Sequence, residues 1–234
     1  MIPLRDDNPS QSVPVVTRTL IAVNVVAFVF ELSLGGALGA FVQWWGLVPL
    51  RFSYAFAGAE PLAPTLATAF TSMFLHGGWI HLLGNLWYLW IFGDNVEDSL
   101  GHWKFLLFYL AGGFTAAAVH LVFNLGSPVP TVGASGAIAA VLGAYGVLFP
   151  RARVVTLVPI FVFFQIVALP ALLVLGLWFV IQIFTGTLSI GASGGGVAWW
   201  AHIGGFVFGM AVVLIGRRVG GGRRGERSEA WVQE

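Results

Sequence analysis

Long apolar stretches, separated by short polar or glycine-rich segments, dominate the chain. A transmembrane helix needs about 20 mostly apolar residues, and six stretches approach that length. They lie near residues 19–38, 78–97, 103–125, 133–150, 169–186 and 197–215. The pattern therefore predicts an all-α membrane protein, a polytopic bundle of six transmembrane helices.

The apolar run over residues 154–184 makes the number of spans ambiguous. It is too long for one span, and Pro159 and Pro170 interrupt it. Positive charge decides the number, because Lys and Arg concentrate in cytoplasmic loops. With a cytoplasmic N-terminus, six spans leave only Arg51 outside, whereas a seventh span exports the arginine-rich tail. We therefore predict that residues 154–168 form a loop or interfacial piece leading into the fifth helix.

Three regions follow from this topology. Residues 1–18 are polar, and we expect a cytoplasmic N-terminal tail there instead of a cleaved signal, since the first apolar run is long enough to span. Residues 19–216 form the membrane domain, and residues 217–234 form a basic, disordered cytoplasmic tail. The expected location is the inner (plasma) membrane of the cell, with multiple passes and both termini in the cytoplasm.

Two external segments are distinguished by their composition. Residues 39–77 contain Trp44, Trp45 and Tyr54, and such residues favour the membrane–water boundary, so this stretch is expected in the interface. Residues 186–196 are rich in glycine and carry no charge, which predicts a flexible loop.

Composition supports a membrane location and limits the chemistry. Hydrophobic residues make up 58% of the chain and charged residues 9%, with a mean hydropathy of +0.88, whereas a soluble domain has about 25% charged residues. The absence of cysteine excludes disulfides, thiolate nucleophiles and cysteine-based metal sites. We therefore expect the lipid bilayer as a partner, and neither nucleic acid nor a metal.

Four polar residues lie inside the predicted spans, where polar groups are costly and mark candidate functional sites. They are His81, Asn85, Ser135 and His202. The second, fourth and sixth helices all run from outside to inside, and each carries its polar residue shortly after its external start. At about 1.5 Å per residue, three of the four lie roughly one turn below the outer surface and Asn85 one turn deeper. One shallow, outward-opening pocket is therefore predicted.

Spacing predicts which side chains share a face. His81 and Asn85 are i, i+4 and project from the same side of the second helix. Two stripes of small residues let helix backbones approach closely in lipid. They are Ser135, Ala139 and Gly143 on the fourth helix and His202, Gly205 and Gly209 on the sixth. We therefore expect Ser135 and His202 to meet where these two helices touch.

A serine hydroxyl is inert as a nucleophile until an adjacent base takes its proton. Ser135 is the candidate nucleophile and His202 the candidate base, since an imidazole can accept the proton near neutral pH and return it to a leaving amine. The oxyanion of a tetrahedral intermediate needs donors. His81, Asn85 and the free N–H groups of Ala134 and Ser135 at the helix start are the candidates. No acidic residue lies near the outer ends of these helices, which predicts a dyad.

Three short motifs carry a family resemblance. They are Gly-Ala-Ser-Gly at 133–136, Ala-His-Ile-Gly-Gly at 201–205 and His-Leu-Leu-Gly-Asn at 81–85. In this order they resemble the rhomboid intramembrane serine proteases, of the prokaryotic type with a six-helix core, over roughly residues 19–215. The resemblance implies a Ser135 nucleophile and a His202 base, with His81 and Asn85 stabilising the oxyanion.

The resemblance also implies features around the site. Substrates are transmembrane-helix proteins cut near helix-destabilising small residues, and no cofactor is implied. The loop 186–196 corresponds to a lid, and the helix around Trp178 and Phe179 to a mobile fifth helix. Some relatives place an aromatic residue four positions after the nucleophile, stacked on the catalytic imidazole. This chain has Ala139 there, which leaves open what orients His202.

Structural interpretations compete with the catalytic one. Gly-Ala-Ser-Gly is also a packing patch in membrane helices, and Ser193 lies in a second copy of it. That copy sits in a glycine-rich loop with no helix start to donate N–H groups, so we favour Ser135. Glu97 lies near the predicted cytoplasmic end of the second span, and this position indicates helix-terminal hydrogen bonding and not catalysis. His120 has no partner identifiable from the sequence.

Other functional classes are expected to have different polar residues. The spacing of five between His76 and His81 does not align two metal ligands on one helix face, and there is no His-Glu-x-x-His motif. A non-catalytic protein of the same fold that binds membrane helices is expected to lack the serine or the histidine. A channel or transporter is expected to have charged groups at the bilayer midplane.

Overall fold

The computed structural model describes residues 1–160, 163–188 and 198–229. The described part is mostly helical. Its α-helices are α1 (Val15–Ser33), α2 (Leu38–Trp45), α3 (Pro49–Phe56), α4 (Leu62–Thr71), α5 (Trp79–Leu100), α6 (His102–Asn124), α7 (Ser135–Leu148), α8 (Ala171–Leu188) and α9 (Trp199–Glu229). Helices α1 and α5 to α9 correspond in order to the six predicted spans.

Three of the described helices are long and apolar enough to cross a membrane, by length and composition. They are Val15–Ser33, His102–Asn124 and Trp199–Arg218. The apolar stretches of α7 and α8 are shorter, and α5, although 22 residues long, carries Asp94, Glu97 and Asp98 near its C-terminus. The chain is therefore a multi-pass membrane protein, and the number of six spans stays a prediction.

The prediction of an all-α fold is wrong in one region. Strands β1 (Ile2–Asp6), β2 (Arg153–Ile160) and β3 (Phe163–Pro170) form an antiparallel sheet in the order β1-β2-β3. The expected loop at 154–168 is thus a hairpin, whose β-branched and aromatic residues favour strands. Pro159 is tolerated because it lies beyond Leu157, which pairs with Ile2 at the end of β1.

The expected disordered tail also differs from the structure. Helix α9 continues through this region to Glu229, and residues 230–234 lie outside the described part. Arginine is a good helix former, and cationic side chains are favoured near a helix C-terminus. The stretch 39–77, which the sequence predicts to be external, contains α2, α3 and α4.

Helix α7 lies at the centre of the bundle. Every residue from 136 to 146 is buried, and the helix contacts α5, α6, α8 and α9. The small residues of α7 allow these neighbours to approach closely. Its N-terminal end therefore lies where several helices meet, and Ser135 is the first residue of the helix.

Candidate functional site

Ser135 follows a backbone turn at Gly133, whose conformation only glycine adopts readily. Gly133 has a φ of +126°, and its N–H donates to the carbonyl oxygen of Ser72 at 2.8 Å. Ala134 is the buried N-cap of α7. Because the first N–H groups of a helix have no intrahelical acceptor, the turn leaves backbone donors beside the half-buried Ser135 side chain.

Glycines bring α7 and α9 into backbone contact. A Cβ at Gly205 would lie 2.0 Å from the carbonyl oxygen of Gly136, and one at Gly209 would lie 1.9 Å from that of Ala140. No real side chain fits at such distances. The predicted close approach of the two small-residue stripes is therefore confirmed.

This contact places the serine and the histidine side by side. Nε2 of His202 lies 2.7 Å from Oγ of Ser135, within hydrogen-bonding distance. His202 is 7% exposed. The two residues that the sequence singles out are thus joined by a hydrogen bond between α7 and α9.

His81 and Asn85 lie on α5 and face the turn before α7. A Cβ at Gly133 would lie 2.7 Å from Nε2 of His81 and 3.5 Å from Nδ2 of Asn85. The N–H of Gly77 donates to Nδ1 of His81 at 3.3 Å, and in a neutral ring this leaves the proton on Nε2. Nδ2 of Asn85 is buried and has no hydrogen-bond partner among the described residues. Two donors on α5 are therefore available near Ser135.

All four residues line one cavity of about 930 Å³. Its wall is formed by the start of α5, the segment before α7, the first part of α7 itself, and parts of α8 and α9. Its other lining residues include Gly84, Tyr88, Val132, Ile138, Leu142 and Trp178. The predicted convergence of the four polar residues on one pocket is borne out by this geometry, and the mostly apolar wall suits an apolar ligand segment.

Sequence reasoning missed Gln182 on α8. Its Oε1 lies 2.6 Å from Nδ1 of His202, on the opposite side of the ring from Ser135. Trp178, one turn earlier, has its ring centroid 5.6 Å from that of His202, and the Trp199 ring meets the imidazole edge-on at 6.3 Å. The available signal was the single glutamine in a mostly apolar helix, since such side chains tend to hydrogen-bond across helices.

The absence of an aromatic residue at position 139 has a packing explanation. Ala139 is fully buried, and its Cβ lies 3.3 Å from where a Cβ at Gly205 would stand. The α7–α9 contact leaves no room for a ring there. Gln182 and Trp178 of α8 contact the His202 ring instead.

Two further buried residues that the sequence singled out, His120 and Glu97, have hydrogen-bond partners. His120 Nε2 lies 2.9 Å from the hydroxyl of Thr131. Glu97 accepts from the backbone N–H of Val16 at 2.9 Å and from that of Thr17 at 2.7 Å, so it caps α1 as helix-terminal hydrogen bonding predicts. Within the described residues, no group of three His, Cys, Asp or Glu side chains is arranged to hold a metal ion.

Part of the predicted lid and the second serine motif lie outside the described residues. Helix α8 extends to Leu188, which includes the first residues of the expected loop at 186–196. The rest of that loop, with Ser193, falls within residues 189–197, which the structure does not describe.

Comparison with known proteins gives one consistent match. Residues 63–219 match the family model described as the Rhomboid domain. The chain is 30% identical over 179 residues to the presenilin-associated rhomboid-like protein A, mitochondrial, of Danio rerio, covering 72% of this chain and 43% of that protein. It is 47% identical over 74 residues to the rhomboid protease GluP of Bacillus subtilis, covering 32% of this chain and 14% of that protein. The chain thus spans less than half the length of these relatives.

Proposed function

Because the chain belongs to the rhomboid family, we propose that it is an intramembrane serine protease. It hydrolyses peptide bonds in or beside the transmembrane segments of membrane-protein substrates, using a Ser135–His202 dyad. The hydrogen bond of 2.7 Å between Nε2 of His202 and Oγ of Ser135, inside the cavity of about 930 Å³, is the observation that carries the proposal.

The first step is attack of Oγ of Ser135 on the carbonyl carbon of the scissile peptide bond. Nε2 of His202 takes the hydroxyl proton as the bond from oxygen to carbon forms. When the tetrahedral intermediate collapses, the carbon–nitrogen bond breaks and His202 returns the proton to the leaving amine. Water then hydrolyses the acyl-enzyme by the same route.

The oxyanion of the intermediate is stabilised by the donors around Gly133. Nδ2 of Asn85 has no partner among the described residues, so it can donate to a new acceptor at no cost to another hydrogen bond. The Nε2–H of His81 and the N–H groups of Ala134 and Ser135 at the start of α7 are the other donors. Removing one such donor typically costs about a hundred- to a thousand-fold in rate.

The proposed setting is a plasma membrane, with six spans and both termini in the cytoplasm. This is supported by the arginine distribution, which leaves only Arg51 on the outer side. The substrate is then a transmembrane helix of another membrane protein, and its cleaved bond enters the cavity from the outer half of the bilayer.

A fluorophosphonate probe and a model transmembrane substrate test the proposal. The purified protein should be labelled by the probe and should cleave the substrate, and both activities should be lost in Ser135→Ala. Ser193→Ala is the matched control, because it removes the serine of the second Gly-Ala-Ser-Gly motif, and it should keep both activities. Labelling that survives in Ser135→Ala, or is lost in Ser193→Ala, contradicts the assignment.

A further inference from the structure

The hydrogen bond between His202 and Gln182 joins two buried side chains. Gln182 is 5% exposed and His202 is 7% exposed. The distance of 2.6 Å between Nδ1 and Oε1 is as short as the bond that His202 makes to Ser135. From its position on α9, the imidazole therefore bridges α8 and α7.

The direction of this bond determines the protonation of the ring. A carbonyl oxygen only accepts, so Nδ1 of His202 carries the proton when it faces Oε1 of Gln182. In a neutral imidazole, Nε2 then has the free lone pair, and Nε2 is the atom that faces Ser135. If the amide turned its NH2 group toward Nδ1, Nε2 would carry the proton and could not accept from the serine.

Among the described residues that line the cavity, no carboxylate is present to accept from Nδ1 of His202. The described wall of the cavity contains neither Asp nor Glu. The described titratable groups nearby are His81 and Tyr88 in the same cavity and His120, which lines an adjoining pocket together with Ser135. A carboxylate beside an imidazole fixes its tautomer and also stabilises its charged form, whereas a neutral amide fixes the tautomer with a weaker effect on charge.

Trp178 fixes the orientation of the same ring from the same helix face. It precedes Gln182 by four residues, so the two side chains lie one above the other on α8. The two rings are inclined by 39°. Helix α8 thus supplies both a polar contact and an apolar contact to the imidazole.

We propose that Gln182 is a positioning residue whose amide oxygen holds His202 in the Nδ1–H form, so that Nε2 accepts the proton of Ser135. The inference rests on the proposed roles of Ser135 and His202. Gln182 acts through His202 and takes no part in bond making.

Removal of the acceptor is the first test. Gln182→Met keeps the length of the side chain and loses the hydrogen bond. We expect kcat for a model transmembrane substrate to fall about 10- to 100-fold, with KM little changed, because the lost bond is stronger when the imidazole is charged. Gln165→Met makes the same chemical change on the exposed strand β3 and should leave both constants unchanged. An unchanged kcat in Gln182→Met overturns the inference.

A second variant separates positioning from simple packing. Gln182→Glu keeps an acceptor for Nδ1–H and adds a negative charge. We expect it to retain more activity than Gln182→Met and to move the acid limb of the pH–rate profile to higher pH, because a carboxylate stabilises the protonated imidazole. His81 and His120 are common to all variants, so they do not produce this difference. A profile that matches the wild-type profile contradicts the inference.

Nuclear magnetic resonance of ¹⁵N-labelled histidine tests the tautomer without relying on activity. The neutral His202 ring of the wild type should carry its proton on Nδ1, and Gln182→Met should lose this preference. A wild-type proton on Nε2 overturns the positioning role even if the probe labels Ser135. Failure of the probe to label Ser135, with the proton found on Nδ1, instead overturns the proposed protease function and leaves the hydrogen bond of Gln182 intact.

Discussion

Gly133 shows how a single residue shapes the site. Its φ of +126° belongs to a region that side chains other than glycine rarely adopt. The missing side chain also lets the backbone approach the His81 ring, where a Cβ would lie 2.7 Å from Nε2. The turn before α7 and the close placement of the His81 ring beside it therefore both depend on Gly133.

The variant Gly133→Ala should damage both stability and activity. Strain at positive φ costs about 1–3 kcal/mol, and the methyl group displaces the His81 ring, which is one of the proposed oxyanion donors. We expect a fall in kcat of about a hundred- to a thousand-fold, as for loss of one oxyanion donor. Steady-state cleavage of a model substrate and thermal unfolding in detergent measure the two effects.

Gly101→Ala is the control for backbone strain alone. Gly101 has a φ of +78° and open space around its Cβ position, and it follows α5 at the end remote from His81. The variant Gly101→Ala should lower the unfolding temperature and leave kcat near the wild-type value. Equal losses of activity in the two variants contradict the role of the close approach to His81.

At the scale of elements, the contact between α7 and α9 sets the distance between Ser135 and His202. At Gly205 and Gly209 of α9 the two backbones meet with no flexible side chain between them, so the spacing of the helices is fixed there. The second contact of His202, through Gln182, brings α8 into the same arrangement. Three helices therefore hold the side chains of Ser135 and His202 in place.

Adding one methyl group inside this contact should destabilise the bundle. A Cβ at Gly209 would lie 1.9 Å from the carbonyl oxygen of Ala140, so Gly209→Ala forces α7 and α9 apart. Overpacking costs about 1–3 kcal/mol, and we expect a lower unfolding temperature in detergent together with weaker probe labelling.

Gly216→Ala is the matched change on the same helix. Apart from the nearby backbone of α9 itself, no atom of the described residues lies within 4 Å of its Cβ position, and alanine is favoured over glycine in helices by about 1 kcal/mol. We expect an unfolding temperature equal to or above that of the wild type. If Gly209→Ala is tolerated as well as Gly216→Ala, the two backbones are not in contact.

For the whole molecule, the N-terminal strand is a structural part of the fold. It pairs with β2, Nε1 of Trp87 donates to the carbonyl oxygen of Pro3 at 2.6 Å, and the hydroxyl of Tyr145 donates to Oδ2 of Asp6 at 2.6 Å. Residues distant in sequence are thereby tied together at the end of α7 opposite Ser135.

Asp6 makes this attachment dependent on pH. Burial raises the pKa of Asp6 from 3.8 to about 6, against the lowering effect of the Tyr145 hydroxyl. Between these values the folded state binds more protons than the unfolded state, so the free energy of unfolding falls as pH rises from about 4 to 6 and then levels off. Asp6→Asn should lack this contribution. Thermal unfolding in detergent from about pH 4 to 8 compares the two slopes, and equal slopes contradict the prediction.

Local patterns were sufficient for several features. Apolar length placed the helices that correspond to α1 and α5 to α9, because spans are set by bilayer thickness. The i, i+4 spacing of His81 and Asn85 and the small-residue stripes predicted which faces meet, because helix geometry repeats every 3.6 residues. The rhomboid motifs identified the family that the comparisons later showed.

Other features depended on contacts between distant segments. The third strand of the sheet is β1, which pairs with β2 some 150 residues away in sequence, and neither strand alone indicates this partner. The support of His202 by Gln182 is of the same kind, because the two residues lie on different helices. The sequence by itself determined the helical membrane character and the four polar residues Ser135, His202, His81 and Asn85, since these follow from hydrophobicity and local spacing. Only the tertiary structure decided that α8 contacts the imidazole and that the α7–α9 contact leaves no room for a ring at Ala139, since both depend on how closely separate helices pack.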